Sequence, residues 1–170
     1  DLLAERVAAL GGTADGRAHV VASRSTLPQY PTDTGAANAH VEALSRSIVD
    51  NFDQQLEYVL NAMIAASEIG PDGEVRFTRP PADQRFLEPY SGAYFQISGK
   101  GQETFPSRSL WDRRLKVDTG HNDVELHKRD SSEFADEPLR ILERDVVLPG
   151  SSVRWRFQVA QSRQAIDGQI

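Results

Sequence analysis

The chain has 170 residues, which is enough for one large domain or two small ones with a buried core. Hydrophobic residues make up 39% and charged residues 26%, so a disordered chain is excluded. The formal net charge of −6 argues against a basic nucleic-acid-binding surface, and the absence of cysteine excludes disulfides and thiolate metal sites. We expect no nucleic-acid partner. No apolar run approaches the ~20 residues of a membrane span, and the start at Asp1 rather than Met suggests a piece of a longer protein.

The first part of the chain is predicted to contain two helices joined by a connection. Apolar residues between Leu3 and Leu10 recur at helical spacing, and the two glycines that follow are typical of a helix end. A second helix of roughly 33 residues is predicted to start near Thr34, because no Gly or Pro interrupts the apolar pattern from Val41 until Gly70. Its apolar positions predict one continuous stripe. The stripe contains Val41, Leu44, Ile48, Phe52, Leu56, Val59, Leu60, Met63 and Ile64.

Beyond the Gly-Pro-Asp-Gly sequence at 70–73, the hydrophobic period changes from 3.6 to 2, which is typical of strands. Pro149-Gly150 and Gly99-Lys100-Gly101 predict tight antiparallel turns. The six predicted strands are residues 74–78, 93–98, 104–111, 123–128, 139–148 and 152–161. The sequence therefore predicts an α+β fold: helix, loop and long helix, followed by a six-stranded, mainly antiparallel sheet packed on the long helix.

Four stretches at the start of the chain carry a family resemblance: LAER at 3–6, LGG at 10–12, STLPQYPTD at 25–33 and HVEAL at 40–44. Through them, residues 1–47 resemble a fragment of the Dps family, the ferritin-like starvation proteins that oxidise iron and protect DNA. The resemblance implies iron ligands at Asp1 and Glu5. These carboxylates stand one helical turn apart, and hard oxygen ligands suit Fe(II). Because the family's site also needs histidines from another helix, the implied site is incomplete.

Six further stretches carry a second resemblance: NFDQQLE at 51–57, IAASEIGPDG at 64–73, PYSGAYFQI at 89–97, SRSLWD at 107–112, LRILERD at 139–145 and FQVAQ at 157–161. With them, residues 50–170 resemble the extracytoplasmic sensor domain of bacterial two-component histidine kinases. The resemblance implies a PAS-like sheet, a periplasmic location between two membrane spans, and a cytoplasmic kinase as partner. It also implies a homodimer that pairs along the long helix.

The two resemblances meet inside the long helix, so we expect a fusion of a Dps-like segment, residues 1–48, with a sensor domain, residues 49–170. The expected function is sensing of an unknown small ligand or ion, with no catalysis by this piece. Gly99-Lys100 is followed by Gly101 rather than Ser or Thr, so a phosphate-binding loop is not indicated. The alternative function is Dps-type iron oxidation and storage.

The most distinctive polar group comprises His121, Asp123, Glu125 and His127. On a strand, all four side chains share one face. Imidazole and carboxylate ligands suit a divalent ion such as Zn(II), Cu(II) or Ni(II), so a metal ion is a possible cofactor. The other interpretation is an edge strand whose polar face meets solvent.

A second candidate is a basic patch around the SRSLW sequence, where four cations oppose only Asp112. Such a patch can bind an anionic ligand or lipid headgroups, or it can simply face solvent. The aromatic side chains nearby can line a ligand pocket or belong to the core. The resulting ligand-binding candidates are Tyr94, Arg108, Trp111 and Arg113.

Overall fold

The computed structural model describes residues 34–121 and 123–168. The predicted first helix, the connection and the Dps-like residues Asp1 and Glu5 lie outside the described residues. The chain divides between Ala39 and His40 into two units, and both sheets belong to the second. The helices are α1 (Thr34–Ala65) and α2 (Gln164–Asp167), with 3₁₀ turns at Gln84–Leu87 and Arg108–Leu110. The strands are β1 (Ser67–Ile69), β2 (Val75–Phe77), β3 (Ala93–Gly99), β4 (Phe105–Pro106), β5 (His127–Ser131), β6 (Leu139–Val147) and β7 (Arg154–Ser162).

Helix α1 begins at Thr34, as predicted, and runs unbroken for 32 residues. It ends at Ala65, close to the end expected for a helix of roughly 33 residues. The hydroxyl of Ser67 donates to the carbonyl of Met63 at 2.6 Å, and the next residues leave the helix for β1.

A separate hairpin forms from β1 and β2, which pair antiparallel with Ser67 opposite Phe77. The Gly-Pro-Asp-Gly turn closes it, with Gly73 at a φ of 82° that favours glycine. The prediction of six strands in one sheet is therefore wrong. The strand predicted at 74–78 pairs within this hairpin, because the residues just before the turn are extended rather than helical.

The main sheet has five strands in the order β4-β3-β7-β6-β5, and every neighbouring pair is antiparallel. Counted along the chain within this sheet, the order is 2-1-5-4-3. The first and last strands, β3 and β7, therefore lie side by side in the centre. The α+β class and the predicted turns at 99–101 and 149–150 are confirmed.

One face of the main sheet packs on the second half of α1. Alternate residues of the central strands, among them Phe95, Trp155 and Phe157, form one core with Leu56 and Leu60 of the helix. The predicted packing of the sheet on the long helix is confirmed. At the start of α1, by contrast, Val41 and Leu44 are 57% and 52% exposed.

Two predicted strands differ from the observed ones. The strand at 104–111 shrinks to β4, because beyond the Ser107 N–H, which donates to the carbonyl of Phe95 at 2.8 Å, serine side chains replace the backbone ladder. Ser107 and Ser109 then satisfy the edge of β3: the N–H of Phe95 donates to Ser107 Oγ at 3.0 Å, and Ser109 Oγ donates to the carbonyl of Ala93 at 2.6 Å. The strand at 123–128 is also wrong, because β5 begins only at His127.

Candidate functional site

The second face of the main sheet, opposite α1, is covered by a segment without strand structure, residues 107–121. The side chain of Gln96 pairs with the backbone of Leu115 through two hydrogen bonds of 2.9 Å. The amide of Gln158 donates to the carbonyl of Lys116 at 3.0 Å. These buried glutamines hold the segment against the sheet much as a neighbouring strand would.

Beneath this segment the sheet buries charged groups. Arg156 pairs with Asp145 through Nε to Oδ1 at 2.5 Å and Nη2 to Oδ2 at 3.1 Å, and this bidentate hydrogen bonding raises the pKa of Arg156. Glu143, which has no exposed surface, accepts from Gln158 at 2.8 Å and from Arg129 at 3.3 Å. We call the buried groups Glu143, Asp145, Arg156 and Gln158 the polar network.

His121 joins this network from the covering segment. Its Nδ1 lies 3.3 Å from Nη2 of Arg156, and its Nε2 lies 3.4 Å from Oε1 of Glu143. Since arginine only donates, Nδ1 is the acceptor and Nε2 carries the proton that faces Glu143. The geometry thus assigns the Nε2–H tautomer of His121.

The structure brings three of the four predicted metal-ligating residues together. His121, Asp123 and His127 each offer one ligand atom, and these atoms lie within 4.8 Å of one another. We call these residues the His-Asp-His cluster. The two imidazole rings stack with centroids 3.8 Å apart, and Nε2 of His127 lies 2.7 Å from Oδ1 of Asp123. The hydrogen bond from His127 is the main reason that the pKa of Asp123 is lowered.

The fourth predicted residue, Glu125, is exposed and is not part of this cluster. The strand geometry behind the prediction was wrong as well. On an extended strand, residues 121 and 127 stand about 20 Å apart, too far to share one ion. The chain instead bends back, with the N–H of Glu125 donating to Oδ1 of Asp123 at 3.0 Å. The turn, not strand alternation, brings the ligand atoms together.

A cleft of about 620 Å³ opens beside the cluster. His121 belongs to the cluster and also lines the cleft. Lys100, Arg154 and Arg156 also line the cleft, against one carboxylate from Asp145. The excess of positive charge favours small anions. The sequence pattern did not single out these cleft residues, because they come from β6, from β7 and from the turn after β3, and meet only through sheet pairing.

The predicted ligand-binding residues are only partly brought together. Tyr94 is fully buried, and its hydroxyl accepts from Nη2 of Arg113 at 2.7 Å and donates to Glu137 at 2.5 Å. Burial is the main reason that the pKa of Tyr94 is raised. The guanidinium of Arg113 also lies 4.2 Å from the ring centroid of Phe134. Tyr94 therefore belongs to the packed interior, and the half-buried Arg113 packs against it.

Arg108 and Trp111, the other two candidates, are exposed on the covering segment. Trp111 ends the short 3₁₀ turn with a φ of 55°, an uncommon backbone conformation for a side chain of this size. The serines of the SRSLW sequence satisfy the edge of β3, so this part of the motif has a structural role.

A scan of protein-family models, a search of curated proteins and a search of solved structures each found no match to the chain. Among the helices of the described residues, none is both long and apolar enough to cross a membrane.

Replacing Glu143 with glutamine tests the polar network. The variant turns one acceptor oxygen into a donor, which then faces either the donor of Gln158 or that of Arg129. We expect Glu143→Gln to lower the free energy of unfolding by about 1–3 kcal/mol, measured by urea denaturation. Glu125→Gln, an exposed control, is expected to change it by less than about 0.5 kcal/mol. Equal values for the two variants would contradict the network.

Proposed function

We propose that residues 49–170 are the sensing domain of a bacterial membrane histidine kinase. In this proposal the domain lies on the extracytoplasmic face of the inner membrane, carries out no catalysis itself, and passes a stimulus to a cytoplasmic kinase. The sequence resemblance and the observed architecture support it. The strand order 2-1-5-4-3, with the first and last strands central, supports a PAS-like arrangement of the main sheet.

The observation that carries the proposal is the alternation of side chains along β6. Arg140 and Arg144 point to α1: Arg140 holds Asp53 through bonds of 2.9 and 2.8 Å, and Arg144 donates to Asn61 at 2.9 Å. Glu143 lies between these two arginines in the sequence, and Asp145 follows the second. Both acidic side chains point to the opposite face and belong to the polar network. A single strand therefore contacts both the long helix and the candidate site.

This arrangement gives a physical route from site to helix. A ligand that moves the polar network displaces β6, and the arginines on its other face transmit the displacement to α1. A ligand shifts such an equilibrium only by its differential affinity for the two arrangements. In the proposed parent kinase, a long helix that leads to a membrane span then carries the shift as a rigid element.

The partner implied by the resemblance is a second copy of the chain. Val41 and Leu44, exposed near the start of α1, offer apolar surface for helix pairing, whereas Leu60 and Met63 already lie in the core. We therefore place the proposed homodimer contact on the first half of α1, which belongs to the expected Dps-like segment, rather than along the whole stripe.

The alternative, Dps-type iron oxidation and storage, draws less support from the described residues. A ferritin-like bundle is built from helices, and its iron ligands project into the bundle core. The main sheet has no counterpart in such a bundle, and Asp1 and Glu5 lie outside the described residues.

Hydrogen exchange of the full chain tests the sensing proposal. Zn(II), Ni(II), phosphate and sulfate are added separately, and amide exchange is followed by mass spectrometry. We expect at least one probe to raise the melting temperature and to change exchange in the second half of α1. If probes bind but exchange in α1 stays the same with all of them, the proposal is wrong. Iron oxidation by a dodecamer on addition of Fe(II) would support the alternative.

The variant Arg144→Met separates binding from transmission. It removes contacts between β6 and α1 but leaves the polar network intact, so a probe should bind as before while its effect on α1 weakens. Arg46→Met is the control, since Arg46 and its partner Glu42 are 79% and 70% exposed on α1. An unchanged response in Arg144→Met would contradict transmission through β6.

A further inference from the structure

The His-Asp-His cluster has the donor set of a transition-metal site. We propose that His121, Asp123 and His127 bind one borderline divalent ion, for which Zn(II) is the representative probe. Two imidazoles and one carboxylate suit such ions, and three protein ligands leave a coordination position open. Binding of the ion does not depend on the proposed function. Only the further step, in which the ion is the stimulus of the sensor, rests on it.

The distances place the cluster close to a coordinating arrangement. In a tetrahedral site with bonds of about 2.0–2.1 Å, ligand atoms stand roughly 3.4 Å apart. The ligand atoms here lie within 4.8 Å of one another, so the site closes by a movement on the order of 1 Å. The 2.7 Å contact between His127 and Asp123 is the hydrogen bond that the ion replaces. This contact already holds the carboxylate against the imidazole.

The stacked rings define what must move. The lone pairs of a ring nitrogen lie in the ring plane, so two rings only 19° from parallel do not aim them at a common point. Binding therefore rotates at least one imidazole out of the stack. His121 belongs to an irregular segment with no strand ladder to break, which permits this rotation.

Rotation of His121 reaches the polar network directly. Ligation through Nδ1 releases Nη2 of Arg156 and leaves the proton on Nε2. Ligation through Nε2 moves that proton to Nδ1, so Oε1 of Glu143 and Nη2 of Arg156 both lose their partner. In both cases His121 loses at least one of its contacts with groups on β6 or β7. Metal binding would thus alter the polar network, two members of which, Glu143 and Asp145, lie on β6. Because β6 also contacts α1, this gives the ion a way to act as a stimulus.

Zinc titration of the full chain by calorimetry tests the proposal. We expect one Zn(II) per cluster in the unaltered chain and an affinity lower by roughly 100-fold or more in Asp123→Asn and in His127→Gln. Even the loss of an outer partner of a metal ligand typically weakens binding by 10–100-fold. The matched controls are Glu125→Gln, an exposed carboxylate beside the cluster, and His40→Gln, a histidine of α1. Both controls should bind as the unaltered chain does.

A spectroscopic readout keeps the test independent of folding defects. In the unaltered chain, Zn(II) should shift the ring proton resonances of His121 and His127 and leave those of His40 in place. The inference is overturned if these resonances do not move, or if the cluster variants bind Zn(II) as tightly as the controls. It is also overturned if all four variants lose affinity equally.

The outcomes separate this inference from the sensing proposal. If Zn(II) fails to bind while phosphate or sulfate changes exchange in α1, the metal site is wrong and the sensing proposal stands. If Zn(II) binds at the cluster without changing exchange in α1, the site stands and the ion is not the stimulus.

Discussion

Replacing Arg140 with methionine is expected to lower the free energy of unfolding by about 3–5 kcal/mol. Arg140 reaches from β6 to Asp53 of α1 through two charge-assisted hydrogen bonds, and the side chain of Asp53 is only 4% exposed. Methionine fills similar space but leaves the buried carboxylate without its cation. Urea denaturation followed by circular dichroism measures the change.

Removing the other partner should cost less. In Asp53→Asn, Arg140 keeps its contact of 3.2 Å with Asp130, so the cation is not left alone. The double variant Asp53→Leu/Arg140→Met should recover much of the loss, because no unpaired charge remains buried. If Arg140→Met were no more destabilising than the exposed control Arg46→Met, the ion pair would not hold α1 to the sheet.

Leu60→Ala is expected to lower the free energy of unfolding by about 2–5 kcal/mol, whereas Leu44→Ala should change it by less than about 0.5 kcal/mol. Both residues are leucines of α1, so the change in helix propensity is the same. Leu60 is fully buried against the main sheet, and Leu44 is 52% exposed. The difference between the two variants therefore measures packing alone.

Protein concentration adds a second comparison. If a second copy covers the first half of α1, Leu44→Ala should become more destabilising as concentration rises, because association stabilises the folded chain by mass action. Leu60→Ala should cost the same at every concentration. A large cost for Leu44→Ala that is independent of concentration would contradict the exposure of this residue in the single chain.

The sequence predicted the long helix and the two longest strands well, because their signals are local. The start of α1 at Thr34 and the alternation of Trp155, Phe157 and Val159 toward the helix follow directly from side-chain periodicity. The prediction of one continuous apolar stripe along α1 was less accurate. Each step of four residues overshoots the helical repeat by about 40°, so Leu44 lies roughly 160° around the axis from Leu60.

The candidate site was predicted through its residue types but not through its geometry. His121, Asp123 and His127 were selected on the assumption of a strand, and a turn brings them together instead. The burial of Gln158 and Arg156 depends on the covering segment, whose path no local pattern indicates. Residues that alternate on a strand show which face they share, but not what lies over that face.

The two outer strands of the main sheet also bear on behaviour at high concentration. Unpaired strand edges can recruit strands of other molecules and seed aggregates. On one side the edge strand β4 has only two residues, one of them Pro106, and on the other side β5 carries Lys128, Arg129 and Asp130 in succession. Both borders thus discourage intermolecular strand addition, which favours solubility in a domain that buries ionic groups within its sheet.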